Sequence, residues 1–270
     1  MLRSIVKQLK STLSNSFENQ STPCCDLARE HKFNWRTEPQ PINSDAEKNP
    51  LREYFDSHLH GRGIWKWRHY FDIYHRHLAR FRGREVHVLE IGVYSGGSLE
   101  MWKTYFGPCA SIYGVDLEKA CEAYNDNRTK IFVGDQADRE FWARFKLDVP
   151  KLDVIIDDGG HHPEQQRITF EELIPHLQAG GVYLCEDILG GDNRFASYIH
   201  DFSTNLNVAN GFSENLHDPE RSLIMIPTDL QAAIGSVHLY PFVAVVERTS
   251  QLPEEFCAQK HGTSWQPFLS

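Results

Sequence analysis

VIIDDGGHH, residues 154–162, runs a β-branched apolar stretch straight into two adjacent carboxylates, then two glycines and two imidazoles. A plain surface loop has no use for so much apolar side chain, so the first half is a buried strand and the second half is what that strand delivers at its end. The run in full is LDVIIDD (152–158), and four others follow its plan: EVHVLEIG (85–92), SIYGVD (111–116), KIFVGD (130–135) and GVYLCED (181–187). Each is short, apolar almost throughout, and closes on an acid or a glycine. Such runs mark strands covered on both faces, as in a parallel sheet.

Helix-period segments lie between them. Leu99, Trp102 and Phe106 share a face before Gly107-Pro108, DREFWARF (138–145) gives a second helix, and PEQQRITFEELIPHL (163–177) gives a third, with Pro163 in its first turn. Upstream, Trp67, Tyr70, Phe71, Tyr74, Leu78 and Phe81 recur at helical intervals, which predicts one helix over 64–81 with an aromatic face in the core. His58, His60, His69, His75 and His77 read as surface or snorkelling side chains, because no cysteine or tight carboxylate pattern accompanies them. Asp192, Asn193 and Arg194 read as a helix start, and GSVHLYP (235–241) with FVAVVER (242–248) as an antiparallel pair. The expected fold is α/β: a Rossmann-like, doubly wound, mostly parallel seven-stranded sheet with an antiparallel C-terminal strand. An N-terminal arm and irregular lead (1–60), one domain (61–250) and a tail (251–270) complete the expected organisation.

Bulk properties narrow the function. The chain has 270 residues, 40% apolar and 24% charged, and its 28 Lys plus Arg against 37 Asp plus Glu leave a net charge of -9. That balance opposes a nucleic-acid partner, which wants a basic footprint, and suits a divalent metal or cationic ligand. Six cysteines form no CxxC pair, so reduced thiols in a cytoplasmic protein are expected. No apolar stretch has the length of a membrane span. The acid-free opening, residues 1–17, reads as an amphipathic arm rather than a targeting peptide.

Ligands of such sheets bind beyond the carboxyl ends of the strands. Glu90, Asp116, Asp135, Asp157, Asp158, Glu186 and Asp187 all fall there. Carboxylates so gathered repel one another unless a cation or a hydroxyl-rich ligand holds them. In the first turn, LEIGVYSGGS, glycines let the backbone approach a ligand closely, but Val93-Tyr94 stands where a GxGxxG nicotinamide fingerprint has its second glycine. Asp116 is placed for two ribose hydroxyls, which fits a dinucleotide and other adenosyl ligands alike. An NAD-type oxidoreductase and a non-catalytic adenosyl-binding module are therefore the alternatives to an enzyme of another class.

The set LEIGVYSGGS, YGVDLE, VGDQ, IIDDGGHH and CEDI resembles the class I S-adenosylmethionine-dependent methyltransferases. Within them it is most similar to the metal-dependent sugar O-methyltransferases of macrolide biosynthesis (the mycinamicin and demethylmacrocin O-methyltransferase family, with cephalosporin hydroxylase-like relatives). The resemblance spans about Trp65 to Glu247. It implies that Glu90, Gly92, Ser95, Gly96 and Ser98 line the methionine and ribose end of S-adenosylmethionine, that Asp116 holds the ribose, and that Asp135 and Gln136 sit near the adenine. Asp157 is expected nearer the cofactor than the ion. Asp158, Glu186 and Asp187 match the ligands of Mg²⁺ or another hard divalent cation, and His161 matches the general base, with His162 beside it as the other candidate. The implied activity is methyl transfer to a hydroxyl of a sugar or other small natural-product metabolite, glycosylated or not, by a homo-oligomer. Specificity is expected from the lead before Trp65, residues 188–234 and the tail.

Overall fold

A computed structural model describes residues 48–190, 193–209, 223–258 and 261–262. The expected N-terminal arm up to residue 47, Cys24, Cys25, Asp192 and most of the tail lie outside the described residues.

Five strands, β1 (Val86–Ile91), β2 (Ala110–Asp116), β3 (Thr129–Val133), β4 (Leu152–Asp157) and β5 (Leu177–Cys185), pair in parallel. Beyond a separate short pair, β6 (Leu223–Met225) with β9 (Phe256–Ala258), strands β7 (Ile234–Tyr240) and β8 (Val243–Arg248) complete a seven-stranded sheet. Its order is β3-β2-β1-β4-β5-β8-β7, with β8 antiparallel to both neighbours. This is the expected mostly parallel sheet with its C-terminal antiparallel element.

Alternate residues of each strand feed two separate cores. Val86 and Val88 of β1, with Val154 and Ile156 of β4, pack with helices α1 (Pro50–Ser57), α2 (Tyr70–Leu78) and α3 (Gly97–Phe106) through Leu51, Tyr74 and Trp102. Leu89, Ile91 and Ile155 meet α4 (Arg139–Asp148), α5 (Pro163–Leu173) and α6 (Arg194–Thr204) through Trp142, Phe170 and Phe195. Burial on both faces is why these strands carry no polar alternation. Local signals start two helices where expected: Asp138 caps α4, and Asn193 caps α6 by accepting from Phe195 N–H at 2.9 Å and Ala196 N–H at 3.1 Å. Helix α1, capped by Asn49, falls within the lead that was expected to be irregular. A further short helix, α7 (Asp229–Ala233), precedes β7.

Three further expectations need correction. The helix predicted over 64–81 begins only at Tyr70, and a 3-10 turn covers Ala79–Phe81. Residues 64–69 are not helical: Trp65 is 87% exposed and Trp67 50% exposed, whereas Lys66 between them is buried. His77 is also buried, bonded through Nδ1 to Glu247 Oε1 at 2.7 Å and through Nε2 to the Tyr240 hydroxyl at 2.9 Å. Finally, β3 and β4 end at Val133 and Asp157, so Asp135 and Asp158 belong to the loops beyond them.

Candidate active site

The chain winds from β1 outward through β2 and β3, then returns to place β4 on the other side of β1. The crevice at this reversal is where open α/β sheets bind ligands. A cavity of about 890 Å³ lies there, lined from the loops after β1, β2, β3, β4 and β5 and from residues 63–70. Gly92 makes the crevice tight. Its φ is +88°, and a Cβ at this position would stand 2.0 Å from the carbonyl oxygen of Asp158. Only glycine lets the first turn lie against the loop that carries the acids.

Gly92, Ser95, Ser98, Asp116, Asp135 and Gln136 face the cavity among the residues expected at a cofactor. Asp116 accepts the Tyr94 N–H on Oδ2 and the Glu118 N–H on Oδ1, both at 2.9 Å, which fixes its carboxylate and leaves lone pairs for two hydroxyls. Ile91, Val115 and Leu117 supply apolar wall. Gln136 has its amide committed elsewhere: Nε2 donates to Asp157 and Thr169, both at 3.1 Å, and Oε1 accepts the Gly160 N–H at 2.6 Å. Glu90, Gly96 and Asp157 stand behind the lining. Glu90 accepts from Ser98 Oγ at 2.7 Å and Trp102 Nε1 at 3.0 Å, and burial pushes its carboxyl up. Asp157 accepts the Tyr183 hydroxyl at 2.8 Å, and burial raises it to about 7 against that bond. Both are buried side chains held by partners behind the cavity wall, Glu90 by Ser98 and Trp102 and Asp157 by Tyr183 and Gln136.

The loops after β4 and β5 bring Asp158, His161 and Asp187 together, with one donor atom of each within 4.8 Å of the others. His161 Nε2 is 3.7 Å from Asp187 Oδ2. His161 lines the cavity, and His162, the residue before α5, does not. Asp187 is held from the far side: its Oδ1 accepts the Tyr70 hydroxyl at 2.6 Å and Trp67 Nε1 at 3.0 Å, while its own N–H donates to the Tyr70 oxygen at 3.3 Å. Glu186 is adjacent but differently engaged. Lys66 Nζ sits 3.0 and 3.1 Å from its two oxygens and 2.6 Å from Asp158 Oδ2. Burial, and then Asp158, push the Glu186 carboxyl up, and the ammonium opposes this. For Lys66, burial disfavours the charge, but Asp158, Glu186 and Glu90 outweigh it and hold the ammonium above its ordinary range.

Lys66, Trp67 and Tyr70 were not among the expected site residues. Their signal is present in the order Ile64-Trp65-Lys66-Trp67, where two large rings flank a cation. An alternation of period two, within a segment otherwise scored for helical spacing, is the trace of extended chain.

Comparison with known proteins agrees with this geometry. Residues 89–188 match the family described as "Methyltransferase domain". Mycinamicin VI 2''-O-methyltransferase from Micromonospora griseorubida is 33% identical over 195 residues, covering 65% of this chain and 47% of the relative. An 8-demethyl-8-alpha-L-rhamnosyl tetracenomycin-C 2'-O-methyltransferase from Streptomyces olivaceus is 32% identical over 202 residues, covering 70% and 52%. The solved structure of MycE methyltransferase from the mycinamycin biosynthetic pathway, in complex with Mg and SAH, superposes with a TM-score of 0.59 at 28% identity, over 75% of this chain and 55% of that one. The chain is a class I S-adenosylmethionine-dependent methyltransferase by family, related to the macrolide sugar O-methyltransferases. The chain spans about half the length of the curated relatives it matches. The matched span holds the first glycine turn, Asp158, His161 and Asp187, whereas Lys66, Trp67 and Tyr70 lie upstream of it.

Proposed function

We propose that this chain transfers a methyl group from S-adenosylmethionine to a hydroxyl of a small natural-product metabolite, a sugar hydroxyl by preference, with a divalent cation at the acidic cluster. The observation that carries the reading is the convergence of Asp158, His161 and Asp187 at the edge of a cavity that also presents Asp116. The donor set fits the ion: carboxylates are hard oxygen ligands, which favour Mg²⁺ over Zn²⁺, and the neighbouring Cys185 is buried with its thiol turned toward Asp157 and outside the Asp158–His161–Asp187 group. The cavity fits the nucleoside, with apolar walls for a flat base and the fixed Asp116 carboxylate for ribose hydroxyls. Gln165 adds an unspent acceptor, because its Oε1 is buried without a partner and the residue lines the cavity.

The cofactor would supply a methyl group already activated on a sulfonium, and the ion would acidify an oxygen held on it. Asp158 and Asp187 would hold the ion, joined by Glu186. His161 would take the hydroxyl proton on Nε2 as the oxygen–methyl bond forms and the carbon–sulfur bond breaks. Tyr70 and Trp67 position Asp187 and leave its Oδ2 turned toward His161. Ser95, Ser98 and the glycine turn would flank the methionine end.

Among the described residues no helix is long and apolar enough to cross a membrane. A cytoplasmic homo-oligomer remains part of the proposal, and the acidic balance supports the absence of a nucleic-acid partner. The test is a mass-spectrometric methyl-transfer screen against glycosides, phenols and carboxylic acids, with and without Mg²⁺. Product mass increased by one methyl group on glycosides alone, lost with chelator, is expected. Transfer unaffected by chelator and by Asp158→Ala would remove the ion from the mechanism.

A further inference from the structure

The Lys66 side chain is 3% exposed and stands against three carboxylates: Asp158 at 2.6 Å, Glu186 at 3.0 Å and Glu90 at 3.8 Å. This is the position a cation would take to satisfy Asp158 and Glu186. The two acids are differently placed toward the rest of the cluster. Asp158 shares its neighbourhood with His161 and Asp187, whereas both oxygens of Glu186 are turned to the ammonium.

We infer that Lys66 is a resident competitor for the divalent cation: its ammonium occupies the Asp158–Glu186 part of the cluster, and the ion gains Glu186 only as Lys66 withdraws. The inference rests on the metal-dependent reading above and adds to it how loading is controlled. Carboxylates this close and this buried would repel in the metal-free protein, and Lys66 neutralises that repulsion so the fold stands without metal. A dication arriving beside an ammonium meets like charge a few ångströms away in a medium of low effective dielectric, which weakens its binding. A monovalent ion has no advantage in charge over the ammonium it must displace, so the device favours divalent ions.

The surroundings say how Lys66 would move. The backbone that carries it is pinned over the first turn: a Cβ on Gly97 would lie 2.3 Å from the carbonyl oxygen of Arg62 and 2.4 Å from that of Gly63. The Arg62 guanidinium also sits 4.4 Å over the Tyr124 ring. With residues 62–63 fixed, withdrawal is a rearrangement of the flexible lysine side chain rather than a lifting of the segment.

The test is calorimetric titration of Mn²⁺ into the full chain carrying Lys66, Lys66→Met or Lys66→Arg, with thermal unfolding in the presence and absence of Mn²⁺. Lys66→Met should bind Mn²⁺ at least about tenfold more tightly, as loss of a neighbouring like charge demands, and Lys66→Arg should stay near the wild-type value. The Met variant should also have the lower melting temperature without metal and the larger rise when Mn²⁺ is added. If Lys66→Met folds poorly, Lys66→Gln keeps a donor without the charge and should show the same tightening. Equal or weaker Mn²⁺ binding by the neutral variants overturns the competitor role while leaving the metal site standing. No Mn²⁺ binding by any form overturns both this inference and the metal-dependent reading beneath it.

Discussion

A left-handed backbone costs a residue with a side chain about 1–3 kcal/mol, and among the described residues four non-glycines bear it: Tyr94, His161, Asp187 and Phe242. Three of them line the cavity, and Phe242 packs 5.6 Å from the Trp67 ring at its mouth. Strain gathered around one cavity fits a fold that over-determines these side chains in order to aim them. For His161 the aim is tested directly. His161→Ala should lower methyl transfer by about 10²–10⁴-fold, the usual worth of a positioned general base, with S-adenosylhomocysteine affinity by calorimetry unchanged. Tyr70→Phe removes only the hydroxyl that holds Asp187. It should cost about tenfold in kcat, on the order of one charge-assisted hydrogen bond, with little change in KM for the cofactor. Gly92→Ala adds a Cβ against the Asp158 carbonyl at a positive φ, so a loss of more than about 2 kcal/mol in urea-unfolding stability is expected.

At the scale of elements, helix α2 is fastened to the antiparallel end of the sheet by charge. His77 and Arg80 both reach Glu247 of β8, and His77 also meets Tyr240 of β7. The His77 hydrogen bond, aided by Arg80, pulls the Glu247 carboxyl from 4.5 down to about 2. Because the folded value lies below the unfolded one, the stabilisation is fully present above about pH 4.5 and drains away as pH falls toward 2. Glu247→Gln should therefore cost about 1–2 kcal/mol at pH 7, allowing for partial solvent screening, and more than half of that difference should vanish by pH 3 in urea titrations. This clasp was hidden in the sequence because a buried histidine is recognisable only by its partners, and these lie 163 and 170 positions away. The sheet was legible for the opposite reason: an apolar run closing on an acid carries its own evidence of two-sided burial. The same local reasoning failed at Lys66, where attraction to Asp158 and Glu186 overrode a helical spacing of aromatics.

Across the whole molecule, the cavity takes its walls from five strand-end loops and from residues 63–70, so no single element contains the site. That explains why acids at strand ends announced where a ligand binds while the segments expected to set specificity stayed unreadable: their sequence carries no periodicity and no motif. A ligand touching all these loops at once must stabilise the fold as a unit, since it binds the folded chain and not the unfolded one. S-adenosylhomocysteine at about 100 times its Kd should add about 2.7 kcal/mol, a rise of about 5–10 °C in Tm at about 2–4 °C per kcal/mol for a chain of this size, growing with the logarithm of concentration. NAD at the same concentration should leave Tm unmoved, because Val93-Tyr94 fills the turn where a pyrophosphate would need a second glycine. A rise with NAD and none with S-adenosylhomocysteine would mean that Asp116 serves a dinucleotide, and the acids beyond β4 and β5 would then need another cation to explain their company.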